Sequence, residues 1–266
     1  MNPYVIAALV ATLGTWLVTA LGAAMVFFFR CPSPRAMNAM LGFAAGVMIA
    51  ASFWSLLQPA IEQAQNAPGL PAYLVATLGF LCGALFMWCS DKVVTFARSR
   101  AQTAARPPAD RLNRVLMLIL SVTLHNIPEG LAVGVAFGAL QQGCAPEQVM
   151  GAVSVAVGIG LQNFPEGAAV SLPLRGEGFS RRKSFFLGQA SGMVEPVAGL
   201  LGALLVVYAK PVLPYALSFA AGAMVLVAVH ELIPECQRSR GAQPYFATMG
   251  IVLGFAAMML MDVMLG

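Results

Sequence analysis

Charge is scarce in this chain. Only 10% of its 266 residues are Asp, Glu, Lys or Arg, against roughly 25% in an ordinary soluble domain. Hydrophobic residues make up 59%, more apolar surface than one water-soluble core of this length can hide. A soluble globular fold is therefore excluded. Cysteine is sparse as well: Cys31, Cys82, Cys89, Cys144 and Cys236 are dispersed, odd in number and without CxxC spacing, so they read as small apolar residues with no evident pairing. No basic stretch precedes the first apolar run, whose first positive charge, Arg30, follows it. That order argues against a cleavable signal peptide.

Long apolar runs are what the chain does have. Eight are expected to span a bilayer, at about 3–29, 37–62, 70–91, 112–141, 147–174, 184–208, 212–234 and 244–265, each at or above the ~20 residues required. Helices are the expected form, because a spanning segment must satisfy its own backbone hydrogen bonds and barrel strands need only about 10 alternating residues. Every Lys and Arg except Lys210 falls in the loops after the first, third, fifth and seventh runs. The positive-inside rule then puts those loops in the cytoplasm and both termini outside. This bias accounts for the net charge of +4 and calls for no nucleic-acid partner. The whole of 1–266 reads as a single transmembrane domain. A solvated cytoplasmic linker is expected at about 97–111, where Pro107-Pro108, small residues and arginines alternate.

Two stretches break the apolar pattern. Leu124-His125-Asn126-Ile127-Pro128-Glu129-Gly130 recurs as Leu161-Gln162-Asn163-Phe164-Pro165-Glu166-Gly167. A charged side chain in mid-membrane costs roughly 2.5–3.5 kcal/mol on insertion scales, so two such clusters call for a compensating ligand. Residues i and i+4 share a helix face; His125 thus aligns with Glu129, and Gln162 with Glu166. Pro128 and Pro165 deny a donor to the carbonyls of Leu124 and Leu161, so kinks are expected there. A short outer loop makes the two helices antiparallel neighbours, with their motifs facing at one depth. One imidazole, two carboxylates and three amides then converge, a set suited to zinc and its first-row relatives rather than calcium.

These motifs resemble those of the ZIP (Zrt/Irt-like) family of divalent metal transporters, in its bacterial GufA-type branch, and the resemblance extends over the chain. It implies eight helices, outward termini, and a binuclear centre midway through the membrane on helices four and five. His125, Glu129, Gln162 and Glu166 would form the main site. Asn126 and Asn163, with the same two bridging glutamates, would form the second. The resemblance adds Glu195, which precedes Pro196 in the sixth span, and Met48 of the second span as further metal ligands. It assigns His230 and Glu231, with Asp91, to an inner exit. Zinc is the expected cargo, with cadmium, iron or manganese as others, and no prosthetic group is called for. A homodimer in the bacterial inner membrane and an elevator-like motion are likewise implied. Two departures are notable: Gln162 stands where many relatives have histidine, and the 97–111 segment lacks the His-rich loop of many eukaryotic relatives.

Transport is expected to exchange metal for protons, since desolvation disfavours a bare carboxylate and ligands must be deprotonated to bind. The alternative is a proton- or cation-conducting relay through the same buried glutamates, and a structural membrane protein is a further rival. An enzyme is not expected. His230-Glu231 opens like the metalloprotease HExxH, but Pro234 stands where the second histidine belongs.

Overall fold

Proline opens one helix after another. Pro3 follows Asn2, whose side chain accepts from the Tyr4 N–H, and Pro34 follows Ser33, which accepts from the Ala36 N–H. At these first-turn positions the missing N–H costs nothing and a polar cap satisfies an orphan donor. The computed structural model describes residues 2–29, 33–66, 69–104, 109–140, 144–237 and 244–265, and all regular structure among them is helical.

The helical stretches are α1 (Pro3–Phe28), α2 (Pro34–Gln65), α3 (Ala72–Ala104), α4 (Ala109–Gly138), α5 (Pro146–Gly176), α6 (Arg181–Tyr208), α7 (Lys210–Gln237) and α8 (Pro244–Leu265). Six of them are long and apolar enough to cross a membrane: α1, α2, α3 over Ala72–Phe96, α6, α7 and α8 over Tyr245–Leu265. The chain is thus an all-helical, multi-pass membrane protein. The motif-bearing α4 and α5 are longer than a bilayer needs, at 30 and 31 residues, and both run through their prolines, Pro128, Pro165 and Pro173, as continuous helix.

Helix covers most of the expected linker. α3 continues to Ala104 and α4 begins at Ala109, which leaves 105–108 outside the described residues, as are Cys31, Arg238 and Arg240. Three helices carry irregular turns unforeseen in the sequence. α2 widens into a π-turn over Ser52–Leu57, α6 tightens into a 3₁₀ turn over Ser191–Met193, and α7 widens over Ala228–Leu232. Such turns recur at functional sites.

Packing divides the bundle into two groups of four. α1 packs mainly on α5 and α4 on α6, while α2 packs on α8 and α3 on α7. The two groups meet chiefly along α2 and α5 and where α4 crosses α7 and α3. The core is rich in Ala and Val, with Met48, Met224 and Met258 filling gaps. Small residues let membrane helices approach closely, which substitutes for the absent hydrophobic drive between them. Outward faces, including Leu78, Leu81 and Leu85 of α3 and Val252, Leu253 and Leu260 of α8, are exposed and apolar, as lipid contact requires.

Gly46 shows how tight this contact is. A Cβ there would lie 2.7 Å from the Phe255 nitrogen and against the Ile251 carbonyl of α8. Gly14 of α1 has nothing within 4 Å of the same atom. Gly46→Val is therefore expected to destabilise the protein by roughly 1–3 kcal/mol, as overpacking does. Gly14→Ala is expected to be neutral or stabilising by up to about 1 kcal/mol through helix propensity. Thermal unfolding in detergent checks this; equal melting temperatures for the two variants would refute it.

Candidate metal centre

The repeated motif puts its polar residues on facing sides of α4 and α5. Asn126, Glu129, Gln162 and Asn163 are fully buried, and His125 and Glu166 nearly so. Gln162 Nε2 donates to Glu129 Oε1 at 2.6 Å, joining the two helices directly. Asn126 Nδ2 donates to the Ser191 carbonyl at 3.0 Å, which the 3₁₀ turn of α6 presents. Asn163 Nδ2 donates to Glu195 Oε2 at 2.8 Å and reaches the Thr15 carbonyl at 3.2 Å. Glu195 is fully buried, and Glu129, Glu166 and Glu195 lie close enough together to repel one another.

The atoms left over share one chemistry. Asn126 Oδ1, Glu129 Oε2, Gln162 Oε1, Asn163 Oδ1 and Glu166 Oε2 are all buried and have no hydrogen-bond partner in the protein. Each amide has spent its N–H₂ on a neighbour and keeps its oxygen free. Leaving a buried polar atom unsatisfied costs about 1–3 kcal/mol, so five on the facing motifs of two helices call for an account. All five are acceptors, hence Lewis bases, and a cation satisfies them together where a water cluster would need ten or so donated hydrogens arranged around it. Among the described residues no group of three or more His, Cys, Asp or Glu has metal-site geometry by itself.

Other expected ligands sit differently. Both oxygens of Glu195 are engaged, by Thr15 Oγ1 at 2.6 Å and Asn163 on Oε2, and by Thr19 Oγ1 at 3.3 Å on Oε1. His125 is turned toward α7, its Nε2 2.7 Å from Glu231 Oε1. His230 Nε2 lies 3.6 Å from Asp91 Oδ2 of α3. Of the residues expected at the exit, His230 and Asp91 therefore meet each other, while Glu231 meets His125 of the α4 motif instead. Met48 is fully buried in the main core cluster, and its carbonyl accepts from Ser52 Oγ as the π-turn begins.

Two features escaped the sequence reading. Thr15 and Thr19 of α1 serve Glu195; the signal was Thr12, Thr15 and Thr19 at helical spacing within an otherwise apolar run. Asp262, the only charged residue of α8, accepts from Ser55 Oγ of α2 at 2.8 and 2.9 Å and from Ser154 Oγ of α5 at 2.8 Å. This node ties α5 to α2 and α8, across the boundary between the two helix groups.

Comparison with known sequences bears on the same residues. The family profile described as "ZIP Zinc transporter" matches residues 100–262, a span that includes both motifs. The chain is 39% identical to "Zinc transporter ZIP11" of Homo sapiens, covering 97% of each sequence. It is 38% identical to "Zinc transporter GufA" of Myxococcus xanthus over 98% of this chain and 99% of that one. "Zinc transporter ZIPB" of Bordetella bronchiseptica is 38% identical over 93% of this chain and 78% of its own length.

The Asp262 node makes its own prediction. Ser55→Ala or Ser154→Ala alone leaves the carboxylate one hydroxyl donor and is expected to lower stability by roughly 1 kcal/mol. The double variant strands the half-buried charge, and its loss should exceed the sum of the two, because residues sharing a partner are coupled. Additive losses in thermal unfolding would contradict the node.

Proposed function

The chain belongs to the ZIP zinc transporter family, and from that premise we propose that it carries divalent metal ions, zinc foremost and cadmium, iron or manganese besides, from outside into the cytoplasm. Members of this family are membrane transporters, not enzymes. Eight membrane crossings, both termini outside, and bends of α4 and α5 at Pro128 and Pro165 complete the proposal. The observation that carries it is the group of five buried, unpartnered oxygens on α4 and α5.

In this reading two ions bind between the helices. Glu129 and Glu166 bridge them, with His125 and Gln162 on one ion and Asn126 and Asn163 on the other. Glu195 and Met48 line the same path. An arriving dication displaces protons from the carboxylates, since only the deprotonated oxygens are good ligands. Hydrogen bonds then give way to coordination: Gln162 and Glu129 hold each other while the metal is absent, and the same Glu129 oxygen is available once it arrives. Release is toward His230, Glu231 and Asp91. His125, already reaching Glu231 across the boundary between α4 and α7, supports a hand-off from the midplane to that inner pair. The division of the bundle into α1, α4, α5, α6 and α2, α3, α7, α8 supports movement of one group, with its site, against the other, as alternating access requires. The resemblance alone extends this reading to a homodimer in the bacterial inner membrane.

Metal entry into proteoliposomes holding a zinc- and cadmium-sensitive dye tests the proposal. The native chain should show saturable entry, and Glu129→Ala and Glu166→Ala should each reduce it to the level of empty vesicles. Correctly folded variants that transport like the native chain would overturn the site. A current carried without metal would favour a proton or cation relay. The pH dependence follows from the same carboxylates: protonation removes ligands, so entry is expected to fall as external pH drops and recover when it is raised. An initial rate unchanged down to about pH 4, the ordinary range of a free carboxylate, would contradict proton–metal competition.

A further inference from the structure

We propose that Thr15 and Thr19 of α1 are positioning residues for metal passage, their hydroxyls fixing the Glu195 carboxylate in the orientation from which it meets the metal. The inference rests on the reading of Glu195 as part of the metal path given above. Thr15 Oγ1 lies 2.6 Å from Glu195 Oε2, closer than the Thr12 carbonyl of its own helix at 3.0 Å, and Thr19 Oγ1 lies 3.3 Å from Oε1 against 3.4 Å for the Thr15 carbonyl. The two threonines are one helical turn apart on one face of α1, so each meets a different oxygen and together they set the plane of the carboxylate. Both are buried, as is Glu195.

The surroundings leave the carboxylate little freedom. Gly192, one turn before Glu195, has its Cα against the same group: a Cβ there would come within 3.1 Å of Glu195 Oε1 and of the Thr19 Cβ. Trp16 Nε1 donates to the Gln189 carbonyl at 3.0 Å, which holds α1 against α6 at this level. Thr15 also acts through its main chain, since its carbonyl accepts from the same Asn163 amide that bonds Glu195 Oε2. One residue of α1 thereby orients a carboxylate of α6 and an amide of α5.

Hydroxyls suit this task for an electrostatic reason. An Arg or Lys partner would orient the carboxylate but also neutralise the charge needed by a cation. A threonine hydroxyl orients it and adds no net charge. A carboxylate offers about four lone-pair sites, and three donors leave one of them for metal, on the Oε1 that only Thr19 touches. Thr12 supplies an internal control. It is equally buried on the same helix, yet its hydroxyl bonds only to the Ala8 and Leu9 carbonyls.

Cadmium entry into dye-loaded proteoliposomes, measured over a concentration series, tests the role. Thr15→Val is expected to raise KM about tenfold, the worth of one hydrogen bond to a charged group, with the maximal rate within about twofold of native. Thr15→Ser should restore KM, and Thr12→Val should leave it native. Thr19→Val, which loses the longer contact, should give a smaller rise and keeps the test open if Thr15→Val does not fold. Thr15→Val added to Glu195→Ala should cause no further change, because the clamp acts only through that carboxylate. A native KM for Thr15→Val while Glu195→Ala is impaired would overturn the clamp alone, as would a Thr15→Ser as weak as Thr15→Val. A native KM for Glu195→Ala would overturn the metal role of Glu195 and the clamp with it.

Discussion

Three carboxylates share the interior of a membrane bundle, and most of the surrounding structure answers that constraint. Removing a charge from water is tolerated only where hydrogen bonds or an opposite charge replace the lost hydration. The three are compensated unequally. Glu195 has three donors, Glu129 has one and keeps a free oxygen, and Glu166 keeps a free buried oxygen as well. Among the described residues no lysine or arginine forms an ion pair with any of them. The bundle thus supplies hydrogen-bond donors to Glu195 and Glu129 and no opposite charge, which leaves part of the cost of burying these groups unmet.

Small residues and irregular turns follow from the same requirement. Donors short enough to reach a buried carboxylate must come from helices packed closely around it. The glycines at the α4–α6 contact allow this: a Cβ on Gly130 would fall 2.5 Å from the Glu195 carbonyl oxygen. The 3₁₀ turn over Ser191–Met193 immediately precedes Glu195 and turns the Ser191 carbonyl to Asn126. The π-turn over Ala228–Leu232 carries both His230 and Glu231, which meet Asp91 of α3 and His125 of α4 respectively.

Much of this was legible in the sequence, for particular reasons. The membrane class follows from scarce charge, and the buried polar residues of α4 and α5 from a pattern that occurs twice at the same register around a proline. Duplication makes accident implausible, and the i, i+4 spacing needs no tertiary knowledge. The threonine contacts to Glu195 were not legible, because a threonine in an apolar helix usually bonds back to its own helix, as Thr12 does and as Thr15 and Thr19 also can. Only the position of α6 gives Thr15 and Thr19 a carboxylate within reach as well. Asp262 was likewise hidden: its serine partners lie 207 and 108 residues away. Over 97–111 the composition is polar and rich in small residues, yet helix continues to Ala104, because α3 has already met the nucleation cost and only propagation remains.

His125 joins the two helix groups. On α4 it shares a face with Glu129, yet its Nε2 lies 2.7 Å from Glu231 Oε1 of α7, in the other group. The imidazole has two ring nitrogens, and a hydrogen bond at one fixes the tautomer and orientation presented at the other. Glu231 therefore bears on the α4 motif from outside its own helix group, and the setting of the imidazole beside Glu129 depends on where α7 sits.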